Sequence, residues 1–355
     1  MKQCVFLAYS VGDSSVSDFF SQLALQLSEN HTVVIFSDKI NHLSFESAQV
    51  HLLHWPSPRP TKFRDFLFLR KQIKKFKPQL MLSTFGANNM FLLGGYLCRV
   101  RHRIVTHRTI SSHFKSTAFK LFRKKKMFKL ATQIISNSSA TKEDLIRTFG
   151  VSPGKVKVVY NAVYNPEIQE TGDANLVLYA GRLSKNKGID VLLSAFRIVA
   201  EKKPFAKLKV LGGTAALVEN YNNQVEELGL GSRVTFEGSQ PGRTVLREFA
   251  KARFVVVPSL SEGFGFVVIE AFSVKTPVIG SNTGGIKEII RNEKDGLLFP
   301  PGDHNALASA MLELYDDEAR VAVMGENAYQ RFLNTFELDR VVEQLCSYLS
   351  TEITN

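Results

Sequence analysis

Residues 254–272 read FVVVPSLSEGFGFVVIEAF, an apolar run followed by a glycine-rich segment and a second apolar run. Four consecutive apolar residues indicate a strand that is buried on both faces. Glu262 lies in the glycine-rich segment, and seven residues separate it from Glu270, which lies in the predicted helix that follows. A strand, a tight loop and a helix in this order form the repeating unit of a parallel α/β sheet, in which ligands bind where the strands end.

The same alternation of strands and helices occurs twice along the chain. It begins with a predicted strand at Cys4–Tyr9 and a helix at Val16–Leu27, and it restarts with a strand at Leu176–Ala180 and a helix at Gly188–Glu201. The intervening Asn161–Ala174 contains proline and glycine and has little periodicity, so it is predicted to be a linker. We therefore predict an α/β protein with two Rossmann-like parallel-sheet domains.

The predicted domains comprise residues 1–165 and 166–335, and a ligand cleft is expected between them. Residues 336–355 are predicted to form a C-terminal crossover helix. Its apolar residues recur at helical spacing at Leu338, Val341, Val342 and Leu345. We expect this helix to return to the N-terminal domain.

Composition indicates a globular protein with large cores. Of 355 residues, 44% are hydrophobic and 22% are charged, which suits two domains of ordinary size. Cys4, Cys98 and Cys346 have no metal or redox spacing, so they are predicted to be reduced, buried thiols of a cytosolic protein. No stretch approaches the roughly 18 apolar residues of a spanning helix, and no export signal is evident.

Positive charge is concentrated in the first half of the chain. Residues 1–165 contain 25 Lys and Arg against 8 Asp and Glu, a net charge of +17, whereas the remainder contains 20 against 25, a net charge of −5. The segment His113–Leu130 places Phe119, Phe122 and Phe128 among lysines and arginines. This pattern is typical of an interfacial helix on anionic lipid. A solvated helix face and a nucleic-acid site are the alternatives, although no recognition motif accompanies the charge.

Residues 181–188 read GRLSKNKG and connect a predicted strand to a predicted helix. Glycines allow a close approach of the backbone to a ligand, and a helix N-terminus favours anions. Arg182 and Lys187 are placed to contact a phosphate, the first with a forked set of donors and the second as a compact charge. Glu270, among apolar neighbours, needs hydrogen-bond partners, which ribose hydroxyls would supply. These residues together suggest an enzyme that acts on a nucleotide-sugar.

The chain resembles the retaining glycosyltransferases of family 4, which have the GT-B architecture of two Rossmann-like domains. The resemblance covers nearly the whole sequence and is strongest from Tyr179 to Asp303. It implies that Arg182 and Lys187 bind the donor diphosphate, that Glu262 contacts the transferred sugar, and that Glu270 contacts the ribose. It also implies a set of backbone positions around the donor: Gly181, Gly212, Gly213, Gly263, Phe264 and Gly265.

The first half departs further from the family pattern. Where the family often has a Gly-Gly acceptor loop, this chain has Gly12-Asp13-Ser14-Ser15. The family also has a cleft-facing histidine after a strand in the middle of this domain. Related sequences carry either histidine or arginine there, so the resemblance leaves both His107 and Arg108 as candidates.

The expected function is transfer of a hexose or N-acetylhexosamine, with retention of configuration, to a lipid-linked or lipopolysaccharide-type glycan. We expect a UDP-linked donor, no resident cofactor or metal, no nucleic-acid partner, and a peripheral position on the cytoplasmic face of the membrane. A sugar-nucleotide epimerase of the same fold is the alternative enzyme, and a nucleic-acid-binding protein is the alternative outside enzymes.

Overall fold

The computed structural model describes residues 2–39, 47–111, 117–168 and 170–354. The chain divides into two compact units. The first comprises Met1–Val163 together with Leu338–Asn355, and the second comprises Tyr164–Glu337.

Within the described ranges, the first unit contains one sheet of seven parallel strands in the order β3-β2-β1-β4-β5-β6-β7. The strands are β1 Cys4–Ala8, β2 Thr32–Ser37, β3 Val50–His54, β4 Leu80–Ser83, β5 His102–His107, β6 Gln133–Ser136 and β7 Val156–Val158. The helices between them are α1 Ser15–Ser28, α2 Phe63–Phe76, α3 Asn88–Leu97, α4 Ala118–Leu130 and α5 Ser139–Phe149.

In the second unit, six parallel strands are described, in the order β10-β9-β8-β11-β12-β13. They are β8 Asp173–Ala180, β9 Lys207–Leu211, β10 Val234–Phe236, β11 Ala252–Val257, β12 Val278–Ser281 and β13 Gly296–Phe299. The helices are α6 Ile189–Lys202, α7 Ala215–Glu227, α8 Gly242–Lys251, α9 Phe266–Phe272, α10 Ile286–Ile289, α11 His304–Asp316 and α12 Glu318–Thr335. The last helix, α13 Leu338–Thr354, belongs to the first unit.

Both sheets are covered by helices on their two faces, which is why their strands are continuously apolar. Along β1, Val5 and Leu7 pack in the cluster that contains α1 and α13, whereas Phe6 and Ala8 pack in the cluster that contains α2 and α3. Successive side chains of a strand point to opposite faces, so each strand contributes to two cores. In each sheet the connections reverse direction beside the first strand of the unit, β1 or β8, and the carboxyl ends of the strands there offer a ligand site.

The predicted linker Asn161–Ala174 extends too far, because its last two residues belong to a strand. β8 begins at Asp173, which pairs with Ala252 of β11, and a register irregularity follows before Phe254. The start of β8 is only partly buried and carries polar residues, so apolar periodicity did not reveal it.

Candidate active site

The loop that follows β8 is fixed against two neighbouring strands. The Gly181 N–H donates to the carbonyl of Leu211 at the end of β9, with an N–O distance of 2.9 Å. The Tyr179 hydroxyl donates to the carbonyl of Arg182 over 2.9 Å. Gly188 has φ of +71°, and a Cβ placed on it would lie 1.9 Å from the carbonyl oxygen of Pro258. Only glycine allows this contact, so the start of α6 is held close to the end of β11.

The loop that contains Glu262 is bound to the loops on either side of it. The Leu260 N–H donates to the carbonyl of Asn186 over 2.9 Å, and the Gly285 N–H donates to the carbonyl of Glu262 over 3.1 Å. Gly284 has φ of +49°, and a Cβ there would lie 1.8 Å from the carbonyl oxygen of Glu262. Residues 181–188, 259–265 and 283–285 therefore meet at one place, which we call the loop junction.

Lys187 and Glu262 contact each other at the loop junction, where Lys187 Nζ donates to Glu262 Oε2. Their side chains are 22% and 17% exposed, so the ion pair is partly withdrawn from water. Arg182 lies on the same loop with its side chain exposed to solvent. Two cations and one carboxylate thus gather at the carboxyl ends of the central strands of the second unit.

Glu270 lies on α9, which begins directly after the glycine-rich loop. Its neighbours Val268, Ile269, Ala271 and Phe272 are buried. Burial raises the pKa of the Glu270 carboxyl to about 7. Among the residues that the structure describes, the carboxyl has no hydrogen bond or ion pair, so it remains available to hydroxyl donors.

The remaining predicted donor residues lie in the same loops or at the end of β9. Gly212 and Gly213 follow β9, and the Gly212 N–H donates to the carbonyl of Gly238 over 2.6 Å. Gly263, Phe264 and Gly265 occupy the loop before α9, and Phe264 is buried.

His107 and Arg108 at the end of β5 in the first unit face different surroundings. The His107 ring lies 5.6 Å from the ring of Phe128 and 5.9 Å from that of Phe149. Burial, with a smaller contribution from Lys124, lowers the pKa of His107 to about 3, so the ring is neutral. The Arg108 guanidinium lies over the rings of Phe19 and Phe20 of α1, and burial lowers its pKa to about 10.

The predicted basic segment coincides with α4 from Ala118 onward. His113 and the rest of residues 112–116 lie outside the described ranges. Phe119 and Phe122 are exposed, whereas Phe128 is buried beside His107. The segment therefore combines an exposed aromatic face with a core contact.

Within the described ranges, no three His, Cys, Asp or Glu side chains lie where they could hold a metal ion together. In the same ranges, no helix combines the length and the apolar character needed to cross a membrane. The three cysteines are free thiols; Cys4 is buried, while Cys98 and Cys346 are only partly so.

Each half of the chain matches a model of a known family. Residues 16–164 match the model described as Glycosyltransferase Family 4, and residues 163–331 match the model described as Glycosyl transferases group 1. Both halves of the chain are glycosyltransferase domains. The predicted GT-B architecture of two Rossmann-like parallel-sheet domains is confirmed.

Curated relatives of these glycosyltransferase domains are moderately similar. An uncharacterized glycosyltransferase of Methanocaldococcus jannaschii is 28% identical over 228 residues, covering 60% of this chain and 58% of the relative. A D-inositol 3-phosphate glycosyltransferase of Corynebacterium glutamicum is 29% identical over 239 residues, covering 62% and 57%. The matched region thus spans a little under three fifths of these relatives.

Solved structures of the same fold match almost the whole chain. The Anabaena HepE protein in complex with UDP has a TM-score of 0.81 at 18% identity and covers 98% of this chain and 100% of its own. The lipopolysaccharide outer core galactosyltransferase WaaB in its apo form has a TM-score of 0.75 at 16% identity and covers 98% and 99%.

Two residues that position the loops of the loop junction in the second unit were not recognised from sequence. Tyr179 orients the loop through the carbonyl of Arg182, and Asn186 binds the Glu262 loop through both its backbone and its side chain. Tyr179 lies in an apolar strand, where a buried tyrosine needs a partner for its hydroxyl. That requirement was the available signal for Tyr179, whereas nothing in the sequence distinguished Asn186 from an ordinary turn residue.

Proposed function

We propose that this chain is a retaining glycosyltransferase that moves a hexose or N-acetylhexosamine from a nucleotide diphosphate sugar to a glycan. The observation that carries the proposal is the loop junction, where Lys187 and Glu262 meet at the carboxyl ends of parallel strands. The family matches on both halves of the chain support the same reaction class.

In this proposal Arg182 and Lys187 stabilise the negative charge that develops on the departing diphosphate. Fixed cations stabilise developing negative charge most strongly where water is partly excluded, as it is around Lys187. A diphosphate that binds Lys187 competes with Glu262, and the freed carboxylate becomes available to hydroxyls of the sugar. Glu270 binds the ribose, because a partly buried carboxyl without partners gains most from hydroxyl donors.

A UDP-linked donor is proposed because a structure of similar fold, Anabaena HepE, was solved with UDP. Thermal-shift titration of the full chain with UDP, GDP and ADP tests this choice, and UDP is expected to give the largest stabilisation. A chain that none of the three nucleotides stabilises would argue against the proposal.

Turnover assays separate the alternative functions. A transferase releases UDP in proportion to the acceptor glycosylated, whereas an epimerase converts the donor without an acceptor. A nucleic-acid-binding protein would instead bind DNA in preference to nucleotide diphosphates.

The acceptor is proposed to be a lipid-linked or lipopolysaccharide-type glycan that binds to the first unit. The support is the basic character of that half and the likeness to a lipopolysaccharide outer core galactosyltransferase. His107 and Arg108 both remain candidates for the cleft residue. Replacing each by alanine should cause one large and one small loss of turnover, and two small losses would remove the end of β5 from the active site.

We also propose that the protein works peripherally on the cytoplasmic face of the membrane through α4. Phe119 and Phe122 of this helix are 72% and 57% exposed, and Lys126 lies over the ring of Phe122. Aromatic side chains flanked by cations favour the interface of an anionic bilayer. We call Phe119, Phe122 and Lys126 the α4 aromatic face.

A further inference from the structure

A cavity of about 330 Å³ lies in the first unit, where the end of β5 meets α3 and α4. His107 and Arg108 line it from β5, and Lys120, Arg123 and Lys124 line it from α4. Among the described residues that line this cavity, none is acidic. The cavity is therefore strongly cationic, and its size suits a small polar ligand.

One buried polar atom of a residue that lines this cavity has no partner within the described part of the chain. It is Nε2 of His107, a residue that is 5% exposed. The His107 ring also forms a hydrogen bond with the backbone of Thr109, which leaves Nε2 for another group. Buried polar atoms in folded proteins are nearly always hydrogen-bonded. An unsatisfied buried atom beside a cationic cavity therefore points to a ligand.

The cations on α4 reinforce this interpretation. Lys124 lies over the rings of Phe128 and Phe149, and burial lowers its pKa to about 8. The carboxylate of Asp144 opposes this effect and raises the pKa of Lys124, and it accepts hydrogen bonds from the N–H and the hydroxyl of Ser111. An anion in the cavity would stabilise the charged form of Lys124 and would accept hydrogen bonds from Lys120 and Arg123.

Phe85 adds an apolar face to the same cavity. It lines this cavity and a neighbouring one of about 340 Å³ that contains Trp55. Its φ is +51°, and its side chain is 58% exposed. A bulky residue rarely adopts positive φ, and such conformations persist mainly where function requires them. An exposed aromatic ring beside a cationic cavity suits a ligand with a phosphate next to an apolar or sugar group.

We propose that the cavity binds a phosphate group carried by the acceptor, with Lys120, Arg123 and Lys124 around the phosphate and Phe85 against the adjoining group. His107 Nε2 is available to a hydroxyl next to the phosphate. The inference rests on the proposed function, because it assigns the cavity to the acceptor of that reaction. The phosphate belongs either to a sugar phosphate or to a lipid carrier, and both offer the same anionic chemistry.

The test compares two double variants of the full chain that remove the same charge from the same helix. Lys120→Gln with Arg123→Gln removes two cations that line the cavity. Lys125→Gln with Lys129→Gln removes two exposed cations that do not line it. Calorimetric titration with glucose 1-phosphate and with farnesyl phosphate should show binding at least about tenfold weaker in the first variant only, because charge-assisted hydrogen bonds are lost. Whichever probe binds the wild type more tightly identifies the source of the phosphate.

UDP binding, measured on the same three proteins, distinguishes failure of this inference from failure of the proposed function. If UDP binds normally and neither phosphate probe binds, the cavity assignment is overturned, whereas the proposed transferase function still stands. Equal weakening in both double variants would also overturn it, because diffuse charge would then account for the binding. Absent nucleotide binding would reject the transferase, and the assignment of the cavity to an acceptor would fall with it.

Discussion

Lys187 and Glu262 are 75 residues apart in sequence, yet they form the ion pair at the loop junction. Their backbones are fixed independently of this pair, since Gly188 lies against Pro258 and Gly284 lies against the carbonyl of Glu262. In the proposed function, the charges are therefore held in place before the donor binds. Such preorganisation reduces the reorganisation that binding and reaction require.

Removing either donor cation should lower turnover much more than stability. Arg182→Ala or Lys187→Ala should reduce kcat by about a hundredfold or more, on the scale of losing one strong transition-state contact. Lys185→Ala is the matched control, because it removes an exposed cation from the same loop. Steady-state assays of UDP release measure the effect, and near-normal kcat in both Arg182→Ala and Lys187→Ala would refute the assignment.

Glu270 should make stability depend on pH. Below its ordinary pKa of 4.5, the carboxyl is protonated in both the folded and the unfolded chain. Between 4.5 and about 7 the unfolded chain releases the proton more readily than the folded chain, so stability should fall as pH rises through this window. Glu270→Gln removes this dependence. Its Tm should exceed that of the wild type at pH 8, and the two should converge near pH 4.

The same Glu270→Gln variant should bind UDP more weakly, because a ribose contact is present in the ground state as well as the transition state. Titration at pH 8 measures this loss. Unchanged affinity for every nucleotide would show that Glu270 does not contact the ribose.

Helix α13 completes the core of the first unit although it is last in sequence. Leu338, Val342, Leu345 and Leu349 of this helix pack in the same cluster as α1 and β1. The N–H of Leu338 donates to the carbonyl of Val163 over 3.0 Å, so the start of α13 is bound to the end of the first segment of its unit. The fold of the first unit therefore depends on residues that are translated after the second unit.

Leu349→Ala should destabilise the first unit by about 2–5 kcal/mol, the usual cost of a Leu→Ala cavity in a core. Leu349 is fully buried, whereas Ser347 on the same helix is exposed, so Ser347→Ala is the control. Urea unfolding followed by fluorescence measures the loss. A Leu349→Ala protein as stable as Ser347→Ala would mean that α13 does not pack as described.

The α4 aromatic face should bind anionic vesicles. Replacing Phe119, Phe122 and Lys126 with serine removes two exposed aromatic rings and one cation. A single cation near such a surface contributes on the order of 1 kcal/mol to the free energy of membrane binding. Co-sedimentation should therefore be strongly reduced in this variant, and high salt should weaken the wild type as well. The control is Arg197→Ser with Lys202→Ser on α6, where both cations are exposed. Equal losses in the two variants would reject a role for α4.

The whole molecule divides its charge between its halves, with +17 in residues 1–165 and −5 in the remainder. The basic half contains the cationic cavity and the α4 aromatic face, and the acidic half contains the loop junction. A chain with this distribution is expected to approach anionic partners with its basic half first.

The reaction should not depend on a metal ion, because Arg182 and Lys187 are proposed to supply the charge that a metal provides in other transferases. Turnover of the purified chain should be the same with and without an excess of EDTA. Lost activity that Mg²⁺ or Mn²⁺ restores would reject this proposal and assign part of the diphosphate site to a metal.

The sequence predicted the elements whose residues carry a clear pattern. The continuous apolar runs of β1 and β11 and the helical spacing in α1 and α13 identified these elements, because burial on both faces or on one stripe leaves a periodic signal. β3 was not predicted, because it lies at the edge of the sheet and its residues are half-exposed and include two histidines.

The two α/β domains, the division of charge and the residue types at the candidate donor site could all be predicted from the sequence alone. These properties depend on composition and on patterns within short segments. The contact between Lys187 and Glu262 became evident only from the three-dimensional structure, as did the different surroundings of His107 and Arg108. The structure also showed that cations of α4 line a cavity at the end of β5. Such contacts join residues from separate elements, and they depend on strand order and helix packing, which no local pattern specifies.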